Sequence, residues 1–410
     1  MALPEADLTP ETLQPMLRTV TERLAQELSK PTLHPPAWSS IEWQLARAVA
    51  SMQGISGLLA ARLLWQAPPD WLAFLHEQRA HIEQRHQRLN RLVRQIDARA
   101  RDFGVGLIGL KGTDLHARGY YRPGDRPMAD IDLLVPARNV AIAARMLRSL
   151  GFQEAYETWK HKVFTEPHST SAANIGEHAH NPLKIELHTR IAEALPLRRT
   201  EITPLVLSPE PREGVHGYSS EGALASHLLL HAAGAMAFRA LRNIHLHDIA
   251  LAAERMSRAD WSELARCSDG CWWALPPLTL AAKYYNLAVP AALLDEMSSQ
   301  CGWLLRRGLS NDTLSDVSFS YLWVDAFPGI RWCRSWNEAA RYVRSRLLPG
   351  DEVRRLRGVL AESQVAYIQD DWAHLSQARR MLRWITSRPT RPESSHSVRF
   401  VLERPAGSAP

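Results

Sequence analysis

The chain has 410 residues, a net charge of +6 and 45% hydrophobic residues, enough for two or three compact units with real cores. The positive excess is mild and no basic block interleaves with aromatics, so nucleic-acid binding is unlikely on composition alone. No apolar run approaches a membrane span, so a membrane role is not expected either.

The opening stretch MALPEADLTPETLQPML has neither the basic region nor the apolar core of a secretory leader, which points to the cytoplasm. Cys267, Cys271, Cys301 and Cys333 follow no pattern and read as reduced, buried thiols. Cys267 and Cys271 are one helical turn apart, but no further ligands stand at metal spacing.

From Glu11 to about Arg101, apolar residues recur at helical spacing in ETLQPMLRTVTERLAQELS and SSIEWQLARAVASMQGISGLLAARLLWQA. A long, charged amphipathic helix is predicted from about Pro69 to Arg101. The pattern then changes. VGLIGLKG reads as a buried strand, TDLHARGYY as a short helix, RPGDRP as a loop and MADIDLLV as a second strand. ARNVAIAARMLRSLG is a helix with a glycine stop, and FQEAYE, HKVFTE and LKIELHTRI are further strands. From about Gly222 the chain is helical again, and SRPTRPESSHSVRFVLERPAGSAP reads as a loose tail. The expected fold class is α+β. A small mixed-sheet core at 102–202 is flanked by helical regions at 1–101 and 203–387, with a flexible tail at 388–410.

Two phosphate-binding motifs fail on context. GVGLIG satisfies GxGxxG, but the strand runs through the glycines instead of preceding them. LKGT has its lysine and glycine in the wrong order for a P-loop. The aspartates of ADIDLLV carry a stronger signal. In a strand, residues two apart share a face, so Asp130 and Asp132 stand side by side while Ile131, Leu133 and Val135 enter a core. Paired carboxylates require cations. Arg126 or Arg138 would serve as salt-bridge partners, and magnesium would serve in a phosphate-binding cleft.

The order strand, glycine turn with a small hydroxyl, helix, then Asp-x-Asp strand resembles the polymerase-β-like nucleotidyltransferases. LKG…DIDLLV followed by IELH is closer still to a subgroup, the uncharacterised bacterial nucleotidyltransferase-like proteins. LLLHAAGAMAFRALRNIHLHDIAL and SRLLPGDEVRRLR extend that likeness along much of the chain.

The resemblance implies a magnesium-dependent transfer of a nucleoside monophosphate from a triphosphate, ATP foremost, to a hydroxyl of a small molecule, peptide or protein. Asp130, Asp132 and Glu186 would hold two Mg2+ ions, or Mn2+, with Glu166 and Glu177 as rivals for the third place. Glu186 is a candidate general base as well. Gly112 and Thr113 would form the phosphate turn, glycine because a Cβ would block the approach, and Lys111 would neutralise phosphate.

Arg122 and Arg126 are phosphate-binding candidates as well as ordinary loop arginines. His188 shares the face of Glu186, and His231, Arg242 and Asp248 are candidates for closing over the nucleotide. His245 and His247 with Asp248 hint at a metal cluster, but side chains so close in sequence on a helix do not converge easily. The many tryptophans are read as core residues. An alternative is a catalytically inactive nucleotide-binding or antitoxin-like regulator that keeps the fold. A phosphotransferase or nuclease with the same two-metal chemistry is a third.

Overall fold

In the computed structural model the described residues are all but 1–7, 168–174, 209, 268–269, 352, 355–357, 359–374 and 404–410. The matching stretch SRLLPGDEVRRLR is therefore only partly within the described residues, as is the end of the expected tail.

The N-terminal part folds into helices α1 (Pro10–Ser29), α2 (Ser40–Met52), α3 (Ser56–Arg62) and α4 (Pro69–Asp102). Ser39 caps α2 reciprocally with Glu42: the Glu42 N–H donates to Ser39 Oγ at 3.3 Å, and the Ser39 N–H donates to Glu42 Oε2 at 2.8 Å. The single helical segment expected from SSIEW to WQA is two helices. Gly54 adopts φ +67° between them, a left-handed conformation that ends α2.

The centre of the chain supplies β1 (Gly106–Gly109), α5 (Gly112–Ala117), β2 (Ile131–Leu134), α6 (Val140–Ser149), β3 (Gln153–Glu157), β4 (His161–Thr165) and β5 (Lys184–His188). A hairpin of β6 (Ala192–Leu195) and β7 (Arg198–Glu201), the short α7 (Thr203–Val206) and β8 (Gly214–His216) follow. The fold is mixed α+β as expected. Six strands form one sheet in the order β3-β4-β5-β2-β1-β8, with β1–β8 and β2–β5 parallel and the other pairs antiparallel. The sheet thus takes a strand from residues 214–216, beyond the central segment.

MADIDLLV is shorter as a strand than its apolar run predicts. The carbonyls of Met128 and Ala129 accept from the Arg85 guanidinium at 3.1 and 2.7 Å, so Asp130 sits in a bend before β2 begins.

One face of the sheet is a closed core. Ile131, Leu133, Val135, Ile185 and Leu187 pack with Leu89, Leu92 and Ile96 of α4 and Met146 and Leu147 of α6. On the opposite face Ile108, Leu110 and Leu134 join a larger core shared by both helical regions, including Leu17 of α1 and Leu230 of α8 (Glu221–Ala237). The N-terminal and C-terminal helices therefore form one body against this face. Hydrogen bonds knit it together, among them Tyr284 to Glu22 at 2.6 Å and Gln14 to the Ser320 carbonyl at 3.1 Å. The helix α9 (Asn243–Arg255) packs on α8.

The expected loose tail is corrected in part: Pro392–Glu403 is a helix against α2, with Val398 and Val401 buried. Its prolines and serines open the helix instead of preventing it, since Pro392 takes the first helical position. Val401→Ala is expected to cost about 2 kcal/mol in denaturant unfolding, where a solvated tail would show no change. No helix among the described residues is long and apolar enough to cross a membrane.

Candidate active site

Asp132 and Glu186 face each other across the parallel pair β2–β5, where they are in direct register. Alternation along β5 places Lys184, Glu186 and His188 on one side, and the antiparallel register of β4 sets His161 opposite His188. Asp130 reaches the same face from the bend before β2. The three predicted carboxylates are thus neighbours. The rivals for the third place are engaged elsewhere: Glu166 accepts from the Leu183 N–H at 2.8 Å, and Glu177 pairs with Arg85 at 3.0 Å.

The cations beside the aspartates are not the expected arginines. Lys111 Nζ donates to Asp132 Oδ1 at 3.1 Å, and Lys184 Nζ lies 2.5 Å from Glu186 Oε1 and 3.5 Å from Asp130 Oδ2. His188 Nε2 is 3.0 Å from Asp132 Oδ1 and 3.5 Å from Glu186 Oε2.

These contacts set the protonation of the carboxyls. Burial and the charges of Asp132 and Glu186 push Asp130 up to about 6 against the pull of Lys184 and Lys111. Burial also works against Asp132 and Glu186 as anions. Lys111 and His188 outweigh it for Asp132, and His188 with Lys184 for Glu186, holding both below the usual carboxylate range. Burial likewise disfavours the Lys111 ammonium, yet Asp132, Glu186 and Asp130 together keep it protonated.

The backbone of Lys111 is strained. It adopts φ +45°, a region that glycine enters freely and lysine does not. Its N–H donates to Tyr218 Oη at 3.1 Å, and Tyr218 in turn bonds His227 Nδ1 at 2.6 Å. The side chain explains the lysine, because a glycine here would leave Asp132 without its ammonium.

Gly112 opens α5, but the close neighbour is protein: an added Cβ would lie 2.7 Å from Arg126 Nη1 and 3.0 Å from Met128 Sδ. Thr113 is buried behind it and its Oγ1 has no hydrogen-bond partner.

Arg126 is engaged away from the aspartates. Its guanidinium makes a two-pronged pair with Asp248, Nε to Oδ1 at 2.9 Å and Nη2 to Oδ2 at 2.7 Å. Asp248 also accepts from Tyr121 Oη at 2.6 Å and is 1% exposed, an internal anchor for the loop before β2. Arg122 is an exposed loop side chain beside Asp125. His231 lies 3.6 Å from Glu193 of the β6–β7 hairpin, and Arg242 donates to the Met52 carbonyl at 3.0 Å. Burial lowers the basicity of His245, and the neighbouring charges of His231, Arg242, Arg126 and Lys111 lower it further.

Three site residues escaped the sequence reading: Lys184, His161 and Tyr218. Lys184 was legible, being two residues before Glu186 on the same strand face. The position of His161 depends on which strand β4 pairs with, and that of Tyr218 on a loop folding back over a turn 107 residues away.

Adjacent carboxylates on a mixed sheet, preceded by a strand, a turn and a helix, define a nucleotidyltransferase-like protein. The chain belongs to the family described as uncharacterised nucleotidyltransferase, whose model matches residues 39–287, more than half of its length. Comparison with curated proteins and with solved structures gives no match.

Proposed function

We propose that the protein moves a nucleoside monophosphate from a nucleoside triphosphate, ATP foremost, onto a hydroxyl of an acceptor, with Mg2+ or Mn2+ held by Asp130, Asp132 and Glu186. The observation that carries this reading is the register of β2 and β5, which sets Asp132 beside Glu186, with Asp130 on the same face. Their oxygens form a hard donor set of the kind magnesium accepts together with substrate phosphates. A divalent ion bound there neutralises phosphate charge and polarises the reacting phosphorus.

The chain's own groups complete the site. Lys111 and Arg242 bring positive charge to the triphosphate side. Glu186, held below the usual carboxylate range by His188 and Lys184, is a charged ligand and the candidate base for the acceptor's proton. In the reaction the acceptor oxygen bonds the α-phosphorus as its hydroxyl passes its proton to Glu186 or to water, and the bond to the β-phosphate oxygen breaks to release pyrophosphate. Positioning and charge neutralisation supply most of the rate.

One observation favours a second reading. Lys111 and Lys184 already neutralise the carboxylates, as they would in a regulator that binds nucleotide without turning it over.

Calorimetric titration with ATP tests the shared premise. Binding is expected to require Mg2+ and to weaken about tenfold or more in Asp130→Ala, equivalent to 1.4 kcal/mol. Absence of metal-dependent binding for every nucleoside triphosphate would overturn both readings.

A further inference from the structure

The face carrying the aspartates has two chemically different ends. Asp130 and Asp132 offer oxygen, and Asp132 Oδ1 holds His188 Nε2 at 3.0 Å, a bond that metal ligation by that nitrogen would replace. Glu186 offers an oxygen flanked by two imidazoles: Lys184 occupies Oε1, while Oε2 faces His188 Nε2 at 3.5 Å and His161 Nε2 at 3.7 Å. One ligand atom from each of His161, Glu186 and His188 lies within 4.8 Å of the other two.

Strand register fixes the arrangement. His161 and His188 are cross-strand partners on β4 and β5, with ring centroids 4.7 Å apart, and Glu186 is two residues back on the same face as His188. His161 has no other employment among the described residues: its buried Nδ1 has no hydrogen-bond partner, and its Nε2 has only the distant Glu186 oxygen. Hydrophobic packing does not call for an imidazole there, and a sheet needs none.

We propose that His161, Glu186 and His188 form a binding site for a transition-metal ion, Co2+ or Zn2+ foremost with Mn2+ as a paramagnetic stand-in, distinct in preference from the end at Asp130 and Asp132. Imidazole nitrogen suits Co2+ and Zn2+, and Mn2+ accepts it alongside carboxylate oxygen, whereas Mg2+ selects oxygen and keeps its waters. Two histidines and one carboxylate leave coordination positions open to a substrate oxygen. The inference rests on the reading of this face as metal-binding. It deepens that reading by making the two positions unequal, so that Mg2+ and a transition metal occupy the site together.

Pulsed electron paramagnetic resonance of Mn2+ bound to the full chain, in a molar excess of Mg2+, tests it. The expected result is a nitrogen-14 coupling from two imidazoles that survives the Mg2+ and falls to that of a single nitrogen in His161→Ala. His161→Gln keeps the side-chain bulk and is expected to lose one of the two nitrogens. Asp130→Asn is expected to retain the coupling. Displacement of all Mn2+ by Mg2+, or a signal without nitrogen coupling, would overturn the proposal, as would a coupling indifferent to both His161 variants. Nucleotide transfer with Mg2+ alone and no nitrogen coupling would leave the proposed function standing and remove this site.

Discussion

Asp132→Asn is expected to reduce nucleotidyl transfer by about a hundred- to a thousand-fold, the usual effect of removing one preorganised charge from an active site. The substitution keeps the shape and removes the charge on which Lys111 and His188 converge. It should also destabilise the fold by about 3 kcal/mol, because it leaves a largely buried ammonium without its principal partner. Those two losses have different remedies. Lys111→Met combined with Asp132→Asn removes the orphaned charge and is expected to recover most of the stability and none of the transfer. Denaturant unfolding and product formation, measured on the same samples, separate the two. Full activity in Asp132→Asn would show that the reaction does not use this carboxylate.

The second large effect is structural and lies behind the site. Arg126→Ala or Asp248→Ala is expected to cost about 3–5 kcal/mol, since either leaves its partner as an uncompensated buried charge. The pair ties the loop before β2 to α9, and Tyr121 closes on the same carboxylate. It also touches the turn at Lys111 and Gly112: Arg126 Nη1 occupies the space in front of Gly112, next to the strained Lys111. The double variant should lose less than the sum of the single ones, and the shortfall measures the coupling between the two side chains. A loss below about 1 kcal/mol for both single variants is the value for a solvated surface pair and would contradict this anchor.

The period-two alternation of ADIDLLV was enough to place Ile131, Leu133 and Val135 in a core, and they are there. The same alternation in LKIELH put Glu186 and His188 on one face. Sequence gives no register between strands, however, so the pairing of Asp132 with Glu186 could be expected only through the family resemblance. Long-range partners were harder still. The neutralising groups for the aspartates were sought among nearby arginines, whereas Arg126 is drawn away to Asp248, 122 residues later in the chain. Lys111 was read as a phosphate ligand because a one-dimensional pattern cannot show that the end of one strand lies beside the next. The serine- and proline-rich end misled for another reason: its two buried valines find their core only on α2, at the far end of the chain.

Label transfer with two differently labelled nucleotides tests the central claim most directly. The full chain is incubated with Mg2+, cell extract as the source of acceptor, and ATP labelled at either the α- or the γ-phosphate. Nucleotidyl transfer predicts acid-stable incorporation of the α-label, with the γ-label released in pyrophosphate, and loss of both signals in Asp132→Asn. Incorporation of the γ-label instead would identify a phosphotransferase. A metal-dependent nucleotide complex with neither label transferred, for any nucleoside triphosphate, would contradict the enzymatic reading in favour of a regulator.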